Sequence, residues 1–405
     1  MPLPFLHPFA PTTKERFITL TRGSGARVWD ADGRELIDAM ASLWYCQIGH
    51  GRDEMADVVA AQMRQLEAYS CFDPFTNEPA EQLTKRIAEL SPMPDARVFL
   101  AGSGSEAVDT AMKLARLGQR MAGHPERHLI ISRERGYHGT NLGGTSAQGL
   151  PANKEGYGSL VPDVHQVPAD DIEALSRLMG ERESEIAAVL LEPVQGAAGV
   201  YPPPPGYLAE ARRLCDEHGA YLIFDEVITG FGRLGRWFAA EHFDVVPDLT
   251  TFAKGVSSGY QPVGGVIVGA APRAALEQDG FILRHGYTYS GHPTSCAAAL
   301  ANINIIEREG LLDRARHVGG RLEAGLHALV GEGLDHVRGD TAVFGAALDD
   351  AHHATTVRDA LLDRGVIARA IGDNTVTFCP PLVITDEQID RVIDGFADAL
   401  ASTAD

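Results

Sequence analysis

The sequence predicts an α/β protein built on a mainly parallel sheet. Short apolar runs alternate with helical patterns through its middle, as βαβ units require. Three of those runs end in a side chain suited to chemistry, at Glu192, Asp225 and Lys254. The 405 residues are enough to bury a large core, in two or three domains.

The expected strands, in order, are RVFL ending at Leu100, HLIIS ending at Ser132, AAVLLE ending at Glu192, AYLIFDE ending at Glu226, LTTFAK ending at Lys254 and VGGVIVG ending at Gly269. Each is a short apolar run bounded by turn residues. After the first strand, AGSGSEAVDTAMKLAR reads as a loop that opens a helix with Val108, Ala111, Met112 and Ala115 on one face. PPPPG at residues 202–206 is a stiff turn, and YLAEARRLCDEHG then sets Leu208, Ala211, Leu214 and Cys215 on one helical face. Gly219 supplies the stop. Near the end, TDEQIDRVIDGFADAL opens with a capping box from Thr385 to Gln388 and repeats apolar residues at Ile389, Val392, Ile393, Phe396 and Leu400. That helix should pack one face on a second, smaller domain.

A formal charge of −20 repels phosphate backbones, and no basic stripe offsets it, so nucleic acid is not an expected partner. The five cysteines are scattered, with no CxxC pair and no metal-ligand spacing, which fits a reducing compartment. The opening MPLPFLHPFAPTTKER carries prolines where a signal peptide needs an apolar helix, and no apolar run is long enough to span a membrane. A cytoplasmic protein is the expectation.

In an open parallel sheet, ligands bind in the crevice at the carboxyl ends of the strands, so Glu192, Asp225 and Lys254 are better explained together than singly. Taken alone, Lys254 reads as a strand-end charge reaching solvent. It is nevertheless one of only five lysines against thirty arginines, and it opens onto small residues. The small residues Gly102, Ser103, Gly104 and Ser105 let an anion approach backbone N–H groups at the positive end of a helix, although they also serve as ordinary caps. LIFDE resembles the magnesium-binding strand of P-loop proteins, but no lysine here sits in GxxxxGK. No HExxH is present, and His352 and His353 lie in a polar stretch that reads as solvated surface, so no metal is expected.

A phosphate-binding helix start, a buried acid and a lysine at the sheet edge are what a pyridoxal phosphate site requires. Asp225 would pair with the pyridine nitrogen and hold its proton there. Lys254 would link to the cofactor aldehyde and later move protons as general acid and base, which needs a neutral amine in a desolvated pocket.

At this point the chain resembles the class III (omega) aminotransferases of pyridoxal phosphate fold type I. The resemblance runs through GSGSEAVDTAMKLAR, GYHG, LLEPVQG, FDEVITGFGR, TFAKG, TYSGHPTSCAAA and RAIGDNTVTFCPPLVIT. It implies a large domain with a mainly parallel seven-stranded sheet flanked by helices, and a small α+β domain. The expected division is residues 1–47 contributing to the small domain, 48–296 as the large cofactor domain and 297–405 as the C-terminal small domain.

The resemblance also implies cofactor contacts at Ser103, Gly104, Ser105, Tyr137, His138, Glu192 and Val227, with Tyr137 and Val227 on opposite faces of the ring. Glu192 and Asp225 lie close enough that one charge must be offset or protonated. Thr288 resembles the residue that reaches the phosphate from the other subunit, implying a homodimer with shared sites, or a tetramer. Trp44, Phe72 and Tyr137 resemble pocket-lining aromatics, and Arg369 the arginine that binds a substrate carboxylate. Members that handle glutamate carry a glutamate after EPVQG, where this chain has Ala197 and Ala198. The implied reaction moves an amino group from a primary amine or omega-amino acid to pyruvate. Transamination with 2-oxoglutarate, a diamine or diaminononanoate-type enzyme, an aminomutase and a non-catalytic regulator are the alternatives.

Overall fold

Residues 4–404 are described by the structure, a computed structural model. At its centre is a seven-stranded sheet in the spatial order Arg97–Ala101, Gly264–Val268, Leu249–Phe252, Tyr221–Asp225, Ile186–Leu191, Leu129–Arg133 and Val164–Val167. The Gly264–Val268 strand runs antiparallel to both neighbours, and the other pairings are parallel. The inner strands are buried along their whole length, which is why they read as unbroken apolar runs.

Side chains alternate across this sheet, so each strand feeds two cores. Ala188, Leu190, Ile223 and Leu249 pack under the helix Gly104–Met121, against Val108, Ala111, Met112 and Ala115. Val189, Leu191, Leu222 and Phe224 point the other way, toward Leu208, Ala211, Leu214 and Cys215 of the helix Tyr207–His218. Gly219 ends that helix in the left-handed region at φ +65°, its N–H bonded to the Asp216 and Cys215 carbonyls.

Two four-stranded sheets complete the fold. One joins Leu20–Ser24, Arg27–Asp30 and Glu35–Asp38 to Val366–Ile367, so strands from both ends of the chain share it. The other is antiparallel, built from Leu334–Asp340, Val343–Leu348, Thr375–Phe378 and Arg369–Ile371. The helix Asp386–Thr403 carries the expected Thr385/Gln388 capping box and buries Ile389, Val392, Phe396 and Leu400.

The sequence reading passes over two elements between residues 160 and 185, the edge strand Val164–Val167 and the helix Ile172–Glu181. His352 corrects another expectation. Its side chain is buried, bonded to Asp349 Oδ1 at 2.6 Å and to the Leu400 carbonyl at 3.0 Å, while His353 stays exposed. It ties the loop after Leu348 to the last helix and is not solvated surface. Among the described residues no cluster of side chains could hold a metal ion, and no helix is long and apolar enough to cross a membrane.

Candidate active site

Lys254 follows the strand Leu249–Phe252 and turns sharply, with φ at +47°. A side chain rarely adopts that backbone, so the surroundings must hold it. They do so through Asn302, whose Nδ2 bonds the carbonyls of Gly255 and Val256 at 2.8 Å, and through Gln47, packed so close that a Cβ on Gly255 would lie 2.2 Å from its Nε2. Burial lowers the pKa of the lysine amine, which favours its neutral form, while the carboxylates of Asp225 and Glu192 pull the other way.

Asp225 ends the neighbouring strand, paired in register with Thr251. Its Oδ1 accepts from Thr251 Oγ1 at 3.0 Å and from the Val227 N–H at 3.2 Å, and its Oδ2 meets His138 Nδ1 at 2.8 Å. His138 and Asp225 are both almost fully buried. Since a carboxylate only accepts, His138 donates from Nδ1. Glu192 follows the next strand and accepts the N–H groups of Tyr137 at 2.8 Å and Gly196 at 3.1 Å. Burial raises its pKa, and the Asp225 charge adds to this, against His138 and the two N–H bonds.

The helix Gly104–Met121 points its N-terminus at this cluster. Ser103 caps it by accepting the Glu106 N–H at 3.2 Å, and Glu106 reaches back to the Gly102 N–H at 2.6 Å. Ala107 N–H bonds the Ser103 carbonyl. Among the described residues, the N–H groups of Gly104 and Ser105 are left without a protein partner. A Cβ on Gly104 would lie 3.0 Å from Val227 and 3.5 Å from Ala253, and one on Gly139, at φ +90°, would lie 2.6 Å from Ser105 Oγ. The GSGS, GYHG, FDEV and FAKG motifs therefore converge on one point. Two free N–H groups at a helix start, a buried carboxylate and a desolvated amine fit pyridoxal phosphate in charge and in donor chemistry.

Trp44 lies over this point, its ring centroid 5.9 Å from Lys254 Nζ. It is carried on a turn with positive φ at Ala41, Ser42 and Trp44, held by Asp38, whose carboxylate accepts the N–H groups of Met40 and Ser42 and meets His50 Nε2 at 2.7 Å. With Met40, Val194, Val200 and Ile228 it forms an apolar wall. Gly196 is what allows this approach, since a Cβ there would lie 2.2 Å from the Trp44 ring and 2.6 Å from Ile228. Gly196→Ala is expected to cost about 1–3 kcal/mol of stability by overpacking. Urea denaturation of the variant checks this, and an unchanged midpoint would mean that Trp44 swings aside freely.

Arg369 completes the near cluster. Its charge bears on Tyr137 and Lys254, and among the described residues its guanidinium has no carboxylate partner. Burial raises the Tyr137 pKa, so its phenol stays protonated. Phe72 and Thr288 are both exposed, and Phe72 packs on Gly286, two residues before Thr288.

Sequence reasoning missed two supports. Thr251 holds Asp225, and only strand register reveals it. Glu226 is fully buried, accepting from Ala239 N–H at 2.5 Å, Ala240 N–H at 3.0 Å and Thr229 Oγ1 at 3.1 Å, and burial pushes its pKa up to about 7. A second acid directly after Asp225 in an apolar strand was the available signal.

Known proteins match this chain over almost its whole length. The Aminotransferase class-III family profile matches residues 9–400. The chain is 36% identical over 423 residues to an omega-aminotransferase of Caulobacter vibrioides, covering 96% of this chain and 95% of that one. It is 36% identical over 415 residues to a beta-alanine–pyruvate aminotransferase of Pseudomonas aeruginosa, covering 95% and 92%. A PLP-bound amine transaminase from an uncultivated Pseudomonas species superposes with a TM-score of 0.94 at 33% identity, covering 99% of both chains.

Proposed function

The chain belongs to the class III aminotransferases, pyridoxal phosphate-dependent enzymes, and within that family we propose that it moves the amino group of a terminal primary amine or omega-amino acid to pyruvate, giving alanine. The observation that carries the choice of acceptor is Arg369, a guanidinium whose charge acts on Tyr137 and Lys254 and which has no carboxylate partner among the described residues. A free guanidinium there suits a bidentate carboxylate of a keto acid. Ala197 and Ala198 after EPVQG leave no glutamate to engage that arginine, which supports pyruvate over 2-oxoglutarate. Trp44 and its apolar wall suit an uncharged donor body.

The bound cofactor supplies an aldehyde carbon that takes up the amino group and a pyridine ring that withdraws electrons. The N–H groups of Gly104 and Ser105 would bind its phosphate, with Ser103 shaping that helix start. Asp225, fixed by Thr251 and the Val227 N–H, keeps a proton on the ring nitrogen, and His138 orients Asp225 from its far oxygen. Glu192 sets the GYHG loop through the Tyr137 N–H. Tyr137 and Val227 would hold the ring. Lys254 takes the proton from the substrate carbon, which requires the neutral amine that burial favours.

We assign Thr288 and Phe72 to the site of a second copy, because both are exposed and, among the described residues, neither makes a hydrogen bond or ring contact with Lys254 or Asp225. Exposed Leu43, Tyr69, Phe75, Leu142 and Tyr289 support such a homodimer. The domain division expected from sequence stays part of this reading, as does a cytoplasmic setting, which the five free cysteines favour.

The test is the absorption spectrum of the cofactor-loaded protein. An amine should bleach the band, and pyruvate should restore it faster than 2-oxoglutarate does. In Arg369→Ala, recovery with pyruvate is expected to slow at least about tenfold at subsaturating acid, for loss of a charged hydrogen bond. Preference for 2-oxoglutarate would overturn the acceptor assignment, and turnover without any external keto acid would favour an aminomutase.

A further inference from the structure

The stretch between the helices Ala270–Leu276 and Pro293–Arg308 contains Thr288 and has no regular secondary structure. It is fastened to one face of the helix Gly104–Met121 by a chain of side chains. Lys113 Nζ lies 3.0 Å from His285 Nδ1, His285 Nε2 lies 2.9 Å from Thr110 Oγ1, Thr110 Oγ1 lies 3.3 Å from the Tyr287 hydroxyl, and that hydroxyl donates to the Glu106 carbonyl at 3.1 Å. Glu106, Thr110 and Lys113 recur at helical spacing on one face, so a single segment can touch all three.

The two ends of the chain set its direction. An ammonium only donates and a carbonyl only accepts. Lys113 therefore donates to Nδ1, and the neutral imidazole carries its proton on Nε2 and donates to Thr110. Thr110 donates to Tyr287, and Tyr287 to Glu106. His285 is also stacked on Phe99 of the edge strand Arg97–Ala101, with ring centroids 5.0 Å apart.

This fastening bears on Thr288 through the turn that Tyr287 begins. Tyr287 N–H bonds Ser290 Oγ at 3.1 Å, and Ser290 N–H bonds the Tyr287 carbonyl at 3.0 Å, closing a turn with Thr288 exposed at its corner. Beyond it, the Gly291 carbonyl accepts from Asn77 Nδ2 at 2.8 Å. The turn is thus slung between two anchors, and the side-chain chain is the one on the phosphate-binding helix.

We propose that Lys113, His285, Thr110 and Tyr287 form a latch that sets the position of Thr288, so that His285 and Tyr287 are positioning residues for phosphate retention in the neighbouring subunit's site, and that the latch holds only while His285 is neutral. This rests on the assignment of Thr288 to the site of a second copy. Protonation would put a donor and a positive charge on Nδ1, facing Lys113 at 3.0 Å. The other groups around the ring are Thr110 on the helix, Phe99 on the strand and Tyr287 on its own segment, with Arg116 and Arg284 lining the same cavity of about 550 Å³. Glu106 and Asp109 act on the Tyr287 hydroxyl. Burial and then Lys113 lower the His285 pKa, so the ring is still neutral and the latch complete at the ordinary imidazole value of about 6.5, and the latch weakens only as pH falls through the lower value of the folded state.

The experiment measures dissociation constants of pyridoxal phosphate, and of pyridoxal without the phosphate, for the full-length apo-protein between pH 5.5 and 8. The variants are Thr288→Ala, His285→Phe, which keeps the stacking, and Tyr287→Phe, which removes one hydroxyl. Thr288→Ala is expected to weaken pyridoxal phosphate binding at every pH. His285→Phe and Tyr287→Phe each break two bonds of the latch, whose loss reaches the phosphate only through the one hydrogen bond of Thr288, so each should weaken binding about two- to tenfold at pH 8 and leave pyridoxal binding unchanged. Wild type should bind less well at pH 5.5 than at pH 8, and more of that difference should be lost in His285→Phe than in Tyr287→Phe. If Thr288→Ala binds like wild type, the shared site fails and the latch with it. If Thr288→Ala is weak while both other variants bind normally, the latch alone is overturned. Equal weakening for pyridoxal would reduce His285 and Tyr287 to general packing, and an unaltered pH profile in His285→Phe would remove the requirement for a neutral ring.

Discussion

Replacing Lys254 by alanine is expected to lower kcat by at least about 10³-fold, within the range that a positioned acid–base group contributes. The protein should still fold. The amine is buried with two carboxylates acting on it, and its removal relieves a desolvation cost. The strained backbone at φ +47° is held by Asn302 and Gln47, neither of which the substitution touches. Steady-state turnover with an amine and pyruvate, alongside thermal unfolding of the same preparation, separates the two effects. Near wild-type turnover in a folded, cofactor-loaded variant would end the assignment of Lys254.

Asp225→Asn keeps the shape and removes the charge, and kcat is expected to fall about 10²- to 10⁴-fold, since the ring nitrogen loses the anion that holds its proton. Asparagine has one oxygen: turned toward Thr251 and the Val227 N–H it sets its amide donor against His138 Nδ1, and turned toward His138 it leaves the Val227 N–H without an acceptor. A buried pairing is lost there, so a stability cost of about 1–3 kcal/mol should accompany the loss of activity. Urea denaturation measures the second quantity and kcat at saturating cofactor the first. A large stability loss with turnover intact would make Asp225 a structural acid.

Much of this site was legible because it lies at strand ends. Glu192, Asp225 and Lys254 each close an apolar run, and a parallel sheet brings the ends of its strands to one edge whatever else the chain does. Ser103, Gly104 and Ser105 were legible for a related reason, since small residues before a periodic helix mark its start. The edge strand Val164–Val167 was not, because it is only half buried and its pattern of polar and apolar residues does not separate it from a loop. His352 was misread because burial by a distant helix leaves no mark on the residues next to it.

The sequence by itself determined the class of the protein. Burial on both faces makes strands apolar, helix periodicity sets the cores on either side, and a lysine, an acid and a helix start at the sheet edge define a pyridoxal phosphate site. The tertiary structure decided how those groups are held. It stacked Trp44 over Lys254 through a turn that Asp38 supports, left Arg369 without a carboxylate among the described residues, packed Phe72 on Gly286, and tied His285 to a lysine 172 residues earlier. Those contacts join residues far apart in the chain, and no local propensity encodes a contact whose two partners meet only after the sheet has formed.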